Sequence, residues 1–153
     1  MNVEHKKQFE VHNLLACRKI VSSAELHVLI ERMNAYIKSC GAIKTGGDIS
    51  ATYDINEDKI DVVIYMPINM EIPSSDCFEF KKKLLLMNCI KTSYEGHPQG
   101  LKNVMMKMNE YIIKNTLEPA SVGFVLTVNE VKDVKDINDY RADIYISINE
   151  NII

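Results

Sequence analysis

The stretch Ile64-Tyr65-Met66-Pro67-Ile68-Asn69 decides the fold, because a close match to it, Ile144-Tyr145-Ile146-Ser147-Ile148-Asn149, lies near the end of the chain. A second matched pair lies upstream of these copies, as Met33-Asn34-Ala35-Tyr36-Ile37 and Met108-Asn109-Glu110-Tyr111-Ile112. The matches follow the same order in both halves of the chain. The sequence therefore predicts an internal repeat, in which each half is one supersecondary unit.

The helix of the first copy is the most clearly marked element. Ser22 and Glu25 have the spacing of a capping box, in which each side chain accepts a hydrogen bond from the other residue's backbone N–H. Apolar residues then recur along one helical face, at Leu26, Leu29, Ile30, Met33 and Ile37. Gly41 favours a helix end just beyond this stripe. The second copy has its own stripe, at Leu101, Val104, Met105, Met108 and Ile112.

The remaining apolar segments have the two-residue alternation of strands. Strands are predicted at residues 11–21, 48–54 and 60–68 in the first copy, and at residues 78–91, 122–128 and 140–148 in the second. The copies span about residues 9–70 and 77–150. We predict an α+β fold: a tandem pseudo-twofold repeat of β-α-β-β units, with antiparallel sheets, one main helix per repeat and a cleft between the repeats. The whole chain, residues 1–153, would be a single domain.

Composition narrows the classes of function. The chain has 153 residues, 46% of them hydrophobic, and a formal net charge of −3. This apolar content excludes a disordered tail, and the negative charge argues against an obligate nucleic-acid binder. The start of the chain has no apolar signal-peptide core, and no apolar stretch is long enough to span a bilayer. We therefore expect a cytoplasmic protein that binds neither nucleic acid nor membrane.

The four cysteines, Cys17, Cys40, Cys77 and Cys89, are widely spaced. A zinc site needs close ligand pairs such as CxxC, and the sequence has none. Reduced cysteines in the protein interior are the simpler interpretation. We expect neither a metal nor another cofactor.

Strand alternation separates two faces of each sheet. Ile144, Ile146 and Ile148 point one way, towards the helix, and Val62, Ile64, Met66 and Ile68 do the same in the first copy. The opposite face carries the candidate ligand-binding residues, which are Tyr65, Tyr145, Asp143, Asp61, Val63 and Arg141. Tyrosine rings beside a carboxylate suit an organic cation, and the two faces could line a shared concavity. Alternatively, these are solvated polar positions whose acids pair with Arg141 or Lys59.

Two stretches resemble a known family. Tyr94-Glu95-Gly96-His97-Pro98, followed by a helix, is similar to the "Gly-Pro-Tyr" loop that enters the second helix of GyrI-like proteins. Asp143-Ile144-Tyr145-Ile146-Ser147-Ile148 is similar to their closing "Glu-Ile-Tyr-Ile-Pro-Val" strand. With the duplicated plan, the chain resembles the GyrI-like small-molecule-binding superfamily over about residues 9–149. This superfamily includes the effector-binding domain of multidrug-responsive transcription activators and the SOUL haem-binding relatives.

The sequence also departs from the family pattern. His97 intrudes where the glycine is normally followed by proline, Asp143 replaces a longer glutamate, and Ser147 replaces a proline. The shorter acid weakens what the resemblance implies about a cation. The haem-binding relatives would need an axial ligand, for which His12 and His27 are candidates, although a lone histidine is more often structural.

The resemblance implies a small-molecule-binding protein, and its regulatory members usually carry an N-terminal DNA-binding domain. Only about eight residues precede the module here, too few for a DNA reader, so we predict a stand-alone protein that binds an amphipathic compound, including a cation. A protein-interaction module or inhibitor is the alternative, with the charged hairpin at residues 130–136 as a docking edge. The third hypothesis is a hydrolase with Asp143 or Glu130 as general base beside a tyrosine.

Overall fold

The computed structural model describes residues 1–129 and 134–149. Strands dominate these residues, together with two α-helices, so the predicted α+β class is confirmed. The elements in chain order are β1 (Glu4–Ser22), α1 (Ser23–Ser39), β2 (Ile49–Asn56), β3 (Lys59–Pro67), β4 (Glu79–Gly96), α2 (Leu101–Lys114), β5 (Glu118–Pro119), β6 (Phe124–Asn129) and β7 (Tyr140–Asn149). Short 3₁₀ helices at Pro98–Gly100 and Val134–Asp139 precede α2 and β7.

The chain divides into two compact units. The first unit is Glu10–Leu85, and the second unit comprises the described residues of Met1–Phe9 and Leu86–Ile153. The boundaries therefore fall inside β1 and inside β4 rather than in loops. Neither helix of the described chain is both long and apolar enough to cross a membrane.

In the first unit, β3 lies between β1 and β2 and is antiparallel to both. Leu15 pairs with Met66 and Cys17 with Ile64, so alternate residues of β1 and β3 face the same side as α1. The buried core on this side includes Leu15, Val21, Leu29, Met33, Ile37, Val62, Ile64, Met66 and Ile68. The predicted helix stripe and the apolar face of the third strand are thus confirmed.

In the second unit, β7 pairs antiparallel with β4 and with β6, and its end pairs with the short β5. The core between this sheet and α2 contains Ile90, Met108, Ile112, Ile144, Ile146 and Ile148. The N-terminal residues complete the unit: the hydroxyl of Thr92 donates to the carbonyl of Asn2 at 2.8 Å, and His5 hydrogen-bonds Tyr111 on α2.

The capping box at the start of α1 is confirmed. The Ser22 hydroxyl accepts from the Glu25 N–H, and the Glu25 carboxylate accepts from the Ser22 N–H, both at 3.3 Å. The hydrogen bonds from Ser22 also lower the pKa of Glu25. Gly41 follows the helix with φ +76°, a left-handed conformation that glycine adopts without strain, so the predicted helix end is confirmed.

Two strands extend beyond their predicted bounds by five residues or more. β1 begins at Glu4 rather than at residue 11, and β4 ends at Gly96 rather than at residue 91. Single residues with left-handed backbone, Asn13 (φ +60°) in β1 and Asn88 (φ +52°) in β4, interrupt the alternation of these strands. The period-2 pattern therefore underestimates both strand lengths.

The loop into α2 is built around Tyr94. Its hydroxyl donates to the carbonyl of His97 at 2.6 Å, and a Cβ at Gly100 would lie only 2.0 Å from that hydroxyl. The His97 Nδ1 accepts from the backbone N–H of Gln99 at 3.1 Å. The histidine that departs from the family loop pattern therefore caps the 3₁₀ turn that leads into the helix.

Replacement of Ser22 by alanine is expected to lower the free energy of unfolding by about 1 kcal/mol, because the Glu25 N–H loses its acceptor at the helix start. Urea denaturation measures the change. Ser23→Ala is the matched control, since Ser23 is exposed on the first turn of α1, and it should cost less than about 0.5 kcal/mol. Equal losses in the two variants would contradict a capping role for Ser22.

Candidate functional site

A cavity of about 460 Å³ lies on the face of the first-unit sheet opposite α1. Each sheet strand contributes to its wall: β1 through Ala16 and Arg18, β2 through Tyr53, and β3 through Val63 and Tyr65. The segment 74–79 forms the remaining side. We call this site the first-unit cavity. Its position follows from strand alternation, because the residues between those packed on α1 must point to the opposite face.

Two of the residues singled out from the sequence, Val63 and Tyr65, line the first-unit cavity, and a third, Asp61, lies beside it. Tyr65 (8% exposed) and Val63 are buried in its wall. Asp61 lies two residues before Val63 on the same strand and is held by Arg18. Burial raises the pKa of Tyr65 above its ordinary value, and the neighbouring Tyr53 and Glu79 add to the effect.

The Arg18 guanidinium contacts both the Asp61 carboxylate and the Tyr53 ring. Its Nε and Nη2 donate to the two carboxylate oxygens of Asp61 at 3.1 and 3.0 Å, and its guanidinium carbon lies 4.2 Å from the centroid of the Tyr53 ring. The hydrogen bonds from Arg18 lower the pKa of Asp61, and the same pairing raises the pKa of Arg18. A bidentate pair of this kind fixes the planar guanidinium over the ring.

The second unit has its own surface cavity, of about 560 Å³, with Lys91, Ser93, Glu95, Val128, Arg141 and Asp143 in its wall. The Ser93 hydroxyl donates to Asp143 at 2.7 Å, and the Lys91 ammonium lies 3.7 Å from the same carboxylate. Arg141 pairs with Glu95 at 3.3 Å. The interpretation that pairs the two aspartates with Arg141 or Lys59 is therefore wrong about the partners, because Asp61 pairs with Arg18 and Asp143 with Lys91.

Tyr145 belongs to the interior of the second unit. It is 9% exposed, its ring centroid lies 4.9 Å from that of Phe9, and other residues form the wall of the second-unit cavity. The Lys91 ammonium lies 5.6 Å from the Tyr145 ring. Burial alone would lower the pKa of Lys91, but the charges of Tyr145, Asp143 and Glu4 outweigh it and the pKa is raised.

Each unit therefore supplies its own cation to a tyrosine and an aspartate. Arg18 does so from β1 in the first unit, and Lys91 does so from β4 in the second. We call these two residues the resident cations. Sequence reasoning missed both, although a signal was present: Arg18 lies beside the apolar Leu15 and Cys17 at the alternate, outward-facing position of its strand.

The structure bears on the remaining hypotheses. The histidines proposed as haem ligands are exposed and lie near acids, His12 at 3.4 Å from Glu10 and His27 at 3.4 Å from Glu31. Within residues 1–129 and 134–149, no group of three or more His, Cys, Asp or Glu side chains could hold a metal ion. Asp143, a proposed general base, is engaged by Ser93 and Lys91.

The charged hairpin at residues 130–136 is described only in part. Residues 130–133, including the proposed base Glu130, lie outside the described residues. From Val134 the chain forms a 3₁₀ helix, so the predicted hairpin is wrong for residues 134–136. Asn129 links the end of β6 to the start of β7. Its side chain donates to the carbonyl of Asp139 at 2.9 Å and accepts from the Arg141 N–H at 2.6 Å.

Replacement of Asp61 by asparagine is expected to destabilise the protein near pH 7, and the destabilisation should shrink as the pH falls below about 4. Because Arg18 lowers the pKa of folded Asp61, the pair's contribution is complete above the ordinary aspartate pKa of about 4. It is lost as the pH falls through the lowered value. Urea denaturation of both proteins across this range measures the difference, with the exposed Asp58→Asn as control. A difference that is independent of pH would contradict the ion pair.

Replacement of Phe9 by alanine is expected to lower the free energy of unfolding by about 3–5 kcal/mol, because the buried ring leaves a cavity against Tyr145. Phe9→Leu, which keeps most of the apolar volume, should cost clearly less. Chemical denaturation monitored by tyrosine fluorescence measures both losses. A change below about 1 kcal/mol in Phe9→Ala would show that Tyr145 does not depend on this contact.

Comparison with known proteins shows which fold this is. No protein-family profile and no curated protein matches the chain. Solved structures do match. The EcmrR C-terminal domain superposes with a TM-score of 0.74 at 12% identity, covering 99% of this chain and 100% of that domain. EcmrR in a complex with DNA gives a TM-score of 0.80 at 12% identity, and this chain spans 58% of that longer chain.

A third structure was solved with a ligand. SAV2435 bound to tetraphenylphosphonium superposes with a TM-score of 0.55 at 12% identity, covering 97% of this chain and 93% of that one. At such low identity these similarities are evidence about fold rather than about activity. They agree with the resemblance found in the closing strand and the loop before α2. The chain therefore has the fold of the EcmrR C-terminal domain.

Proposed function

We propose that this chain is a small-molecule-binding protein and that it takes an amphipathic organic cation in the first-unit cavity. One observation carries the proposal: a cation already sits there, with the Arg18 guanidinium 4.2 Å above the Tyr53 ring and 3.0 Å from an Asp61 oxygen. An electron-rich ring face and a carboxylate are the two groups that an organic cation requires.

The shape of the first-unit cavity supports the same ligand class. Its volume of about 460 Å³ lies within the range of roughly 300–1,000 Å³ that holds drug-sized molecules. Val63 and Tyr65 provide an apolar wall for the uncharged part of the ligand, and Asp76 adds negative charge at its side, while Glu79 pairs with Lys81 at 3.8 Å. Tyr65, Val63 and Asp61 are therefore the proposed contacts that the sequence already indicated.

The fold relatives support a ligand-binding role. SAV2435 was solved with tetraphenylphosphonium, a lipophilic cation, and the EcmrR match is a C-terminal domain of a protein that forms a DNA complex. We infer by analogy that this chain also binds an effector. Several features remain predictions from the sequence. They are the tandem repeat with its cleft, the stand-alone character, the cytoplasmic location, a protein partner, and ligand contacts by Tyr145, Asp143 and Arg141.

Tetraphenylphosphonium is expected to stabilise the protein. Mass action gives about 2.7 kcal/mol when the free ligand is at a hundredfold excess over its dissociation constant. Differential scanning fluorimetry detects this as a rise in melting temperature, and calorimetric titration gives the affinity. Triphenylphosphine oxide, which has similar aromatic surface without a net charge, should bind more weakly because Asp61 gives it no Coulomb attraction.

The variant that tests the site is Asp61→Asn. It removes the carboxylate and leaves Arg18 as an unpaired positive charge in the wall, so the affinity for tetraphenylphosphonium should fall about tenfold. Asp58→Asn, in the turn between β2 and β3, makes the same change of net charge away from the cavity and should leave the affinity unchanged. Equal affinities in the two variants would place the cation elsewhere, and no response of the wild type to any organic cation would refute the proposal.

A further inference from the structure

We propose that Arg18 is the specificity-determining residue of the first-unit cavity, acting as an internal competitor that an incoming cation must displace. This inference rests on the proposed function and adds the mechanism by which the chain selects among cations. The motivating geometry is the arrangement of Arg18, Asp61 and Tyr53, in which the protein has already satisfied the groups that a cationic ligand needs.

The first step of the argument concerns charge. Both Asp61 oxygens accept from Arg18, at 3.1 and 3.0 Å, so the acid has no uncompensated charge to offer. A cation that approaches the Arg18–Asp61 ion pair meets a pair without net charge, whose solvent-exposed end is the positive guanidinium. Attraction to Asp61 is gained only if the guanidinium moves away, since two cations cannot share one carboxylate and one ring face without repulsion.

The second step concerns the aromatic surface. The Arg18 guanidinium covers one face of Tyr53, while 42% of this tyrosine is exposed to solvent. A ligand that displaces the guanidinium gains this face together with the Tyr65 and Val63 wall. The competitor therefore occupies the part of the cavity in which charge and aromatic surface meet.

The third step concerns mobility. The Arg18 side chain is 57% exposed, whereas the Asp61 side chain is 23% exposed. An exposed ion pair is worth little in free energy, because water solvates the separated charges well. The long arginine side chain can therefore swing into solvent at small cost while Asp61 stays with the cavity. The resident cation is a weak competitor that a sufficiently apolar ligand can replace.

A selectivity rule follows. Tetramethylammonium offers the same charge as Arg18 but far less apolar surface than tetraphenylphosphonium, so it has little advantage that offsets the displacement. A large lipophilic cation also buries aromatic surface against Val63 and Tyr65, which the guanidinium does not. Wild-type protein should therefore bind tetraphenylphosphonium and reject tetramethylammonium.

The experiment compares these two cations on full-length variants by calorimetric titration. Arg18→Met keeps an unbranched apolar side chain but removes the charge, so tetraphenylphosphonium should bind about threefold to fivefold more tightly and tetramethylammonium binding should become measurable. Arg18→Lys restores a cation at this position and should return both affinities towards the wild type. A gain of affinity is diagnostic, because a merely structural defect would weaken binding.

Lys59→Met is the matched control. It removes one positive charge from the same unit and breaks an ion pair with Glu25 at 3.6 Å, away from the first-unit cavity. Its affinities for both cations should equal those of the wild type. That result would exclude a change of net charge as the cause of tighter binding in Arg18→Met. Thermal denaturation without ligand verifies that each variant is folded, and Arg18→Gln replaces Arg18→Met if the methionine variant is not.

The outcomes separate the two proposals. Tighter binding in Arg18→Met alone supports the internal competitor. If the wild type binds tetraphenylphosphonium and Arg18→Met binds it equally or more weakly, the competitor is refuted and the proposed function stands. If neither protein binds any cation, both proposals fail. Equal gains in Arg18→Met and Lys59→Met would also overturn the inference, because the effect would then come from net charge.

Discussion

The strict two-residue alternation of β3 and β7 is the constraint on which the rest of the structure depends. In each unit one set of alternate residues, such as Ile64 in β3 and Ile144 in β7, must pack against its helix. The intervening residues, Tyr65 and Tyr145, are thereby committed to the opposite face. A shift of one residue in register would expose the isoleucines and bury the acids, so the fold and the candidate site are determined by the same pairing.

Each aspartate on that opposite face is paired with a cationic side chain. Asp61 and Asp143 each receive a cation from the first long strand of their unit, Arg18 in one case and Lys91 in the other. The two pairs differ in strength of contact, since the arginine makes two hydrogen bonds of about 3 Å and the lysine lies 3.7 Å away. The first unit thus has the geometrically more specific of the two ion pairs, because the planar guanidinium binds both oxygens of the carboxylate.

Much of the fold was predictable because its signals are local. The capping box of Ser22 and the stripe through Met33 lie within one helix, and Gly41 marks its end through a backbone conformation that glycine favours. The strand ends were less predictable, because a left-handed residue such as Lys6, in the missed part of β1, shifts the alternation without leaving a pattern that periodicity detects.

The candidate site was predictable only in part, for a different physical reason. Tyr65, Val63 and Asp61 follow from alternation within one strand, and the structure places them at or beside one cavity. Arg18 and Tyr53 come from other strands, and their approach depends on pairing across the sheet. The burial of Tyr145 against Phe9 depends on residues far apart in sequence, which no local pattern reports.

The division of the chain inside β1 and β4 has a consequence for how the protein is made. Residues 1–9 are synthesised before β7, yet they belong with the unit that contains it. At roughly 5–20 residues per second, the partners of Asn2 and Phe9 emerge on the order of 10 s later. Residues 1–9 should therefore become protected from proteolysis only after β7 has been synthesised.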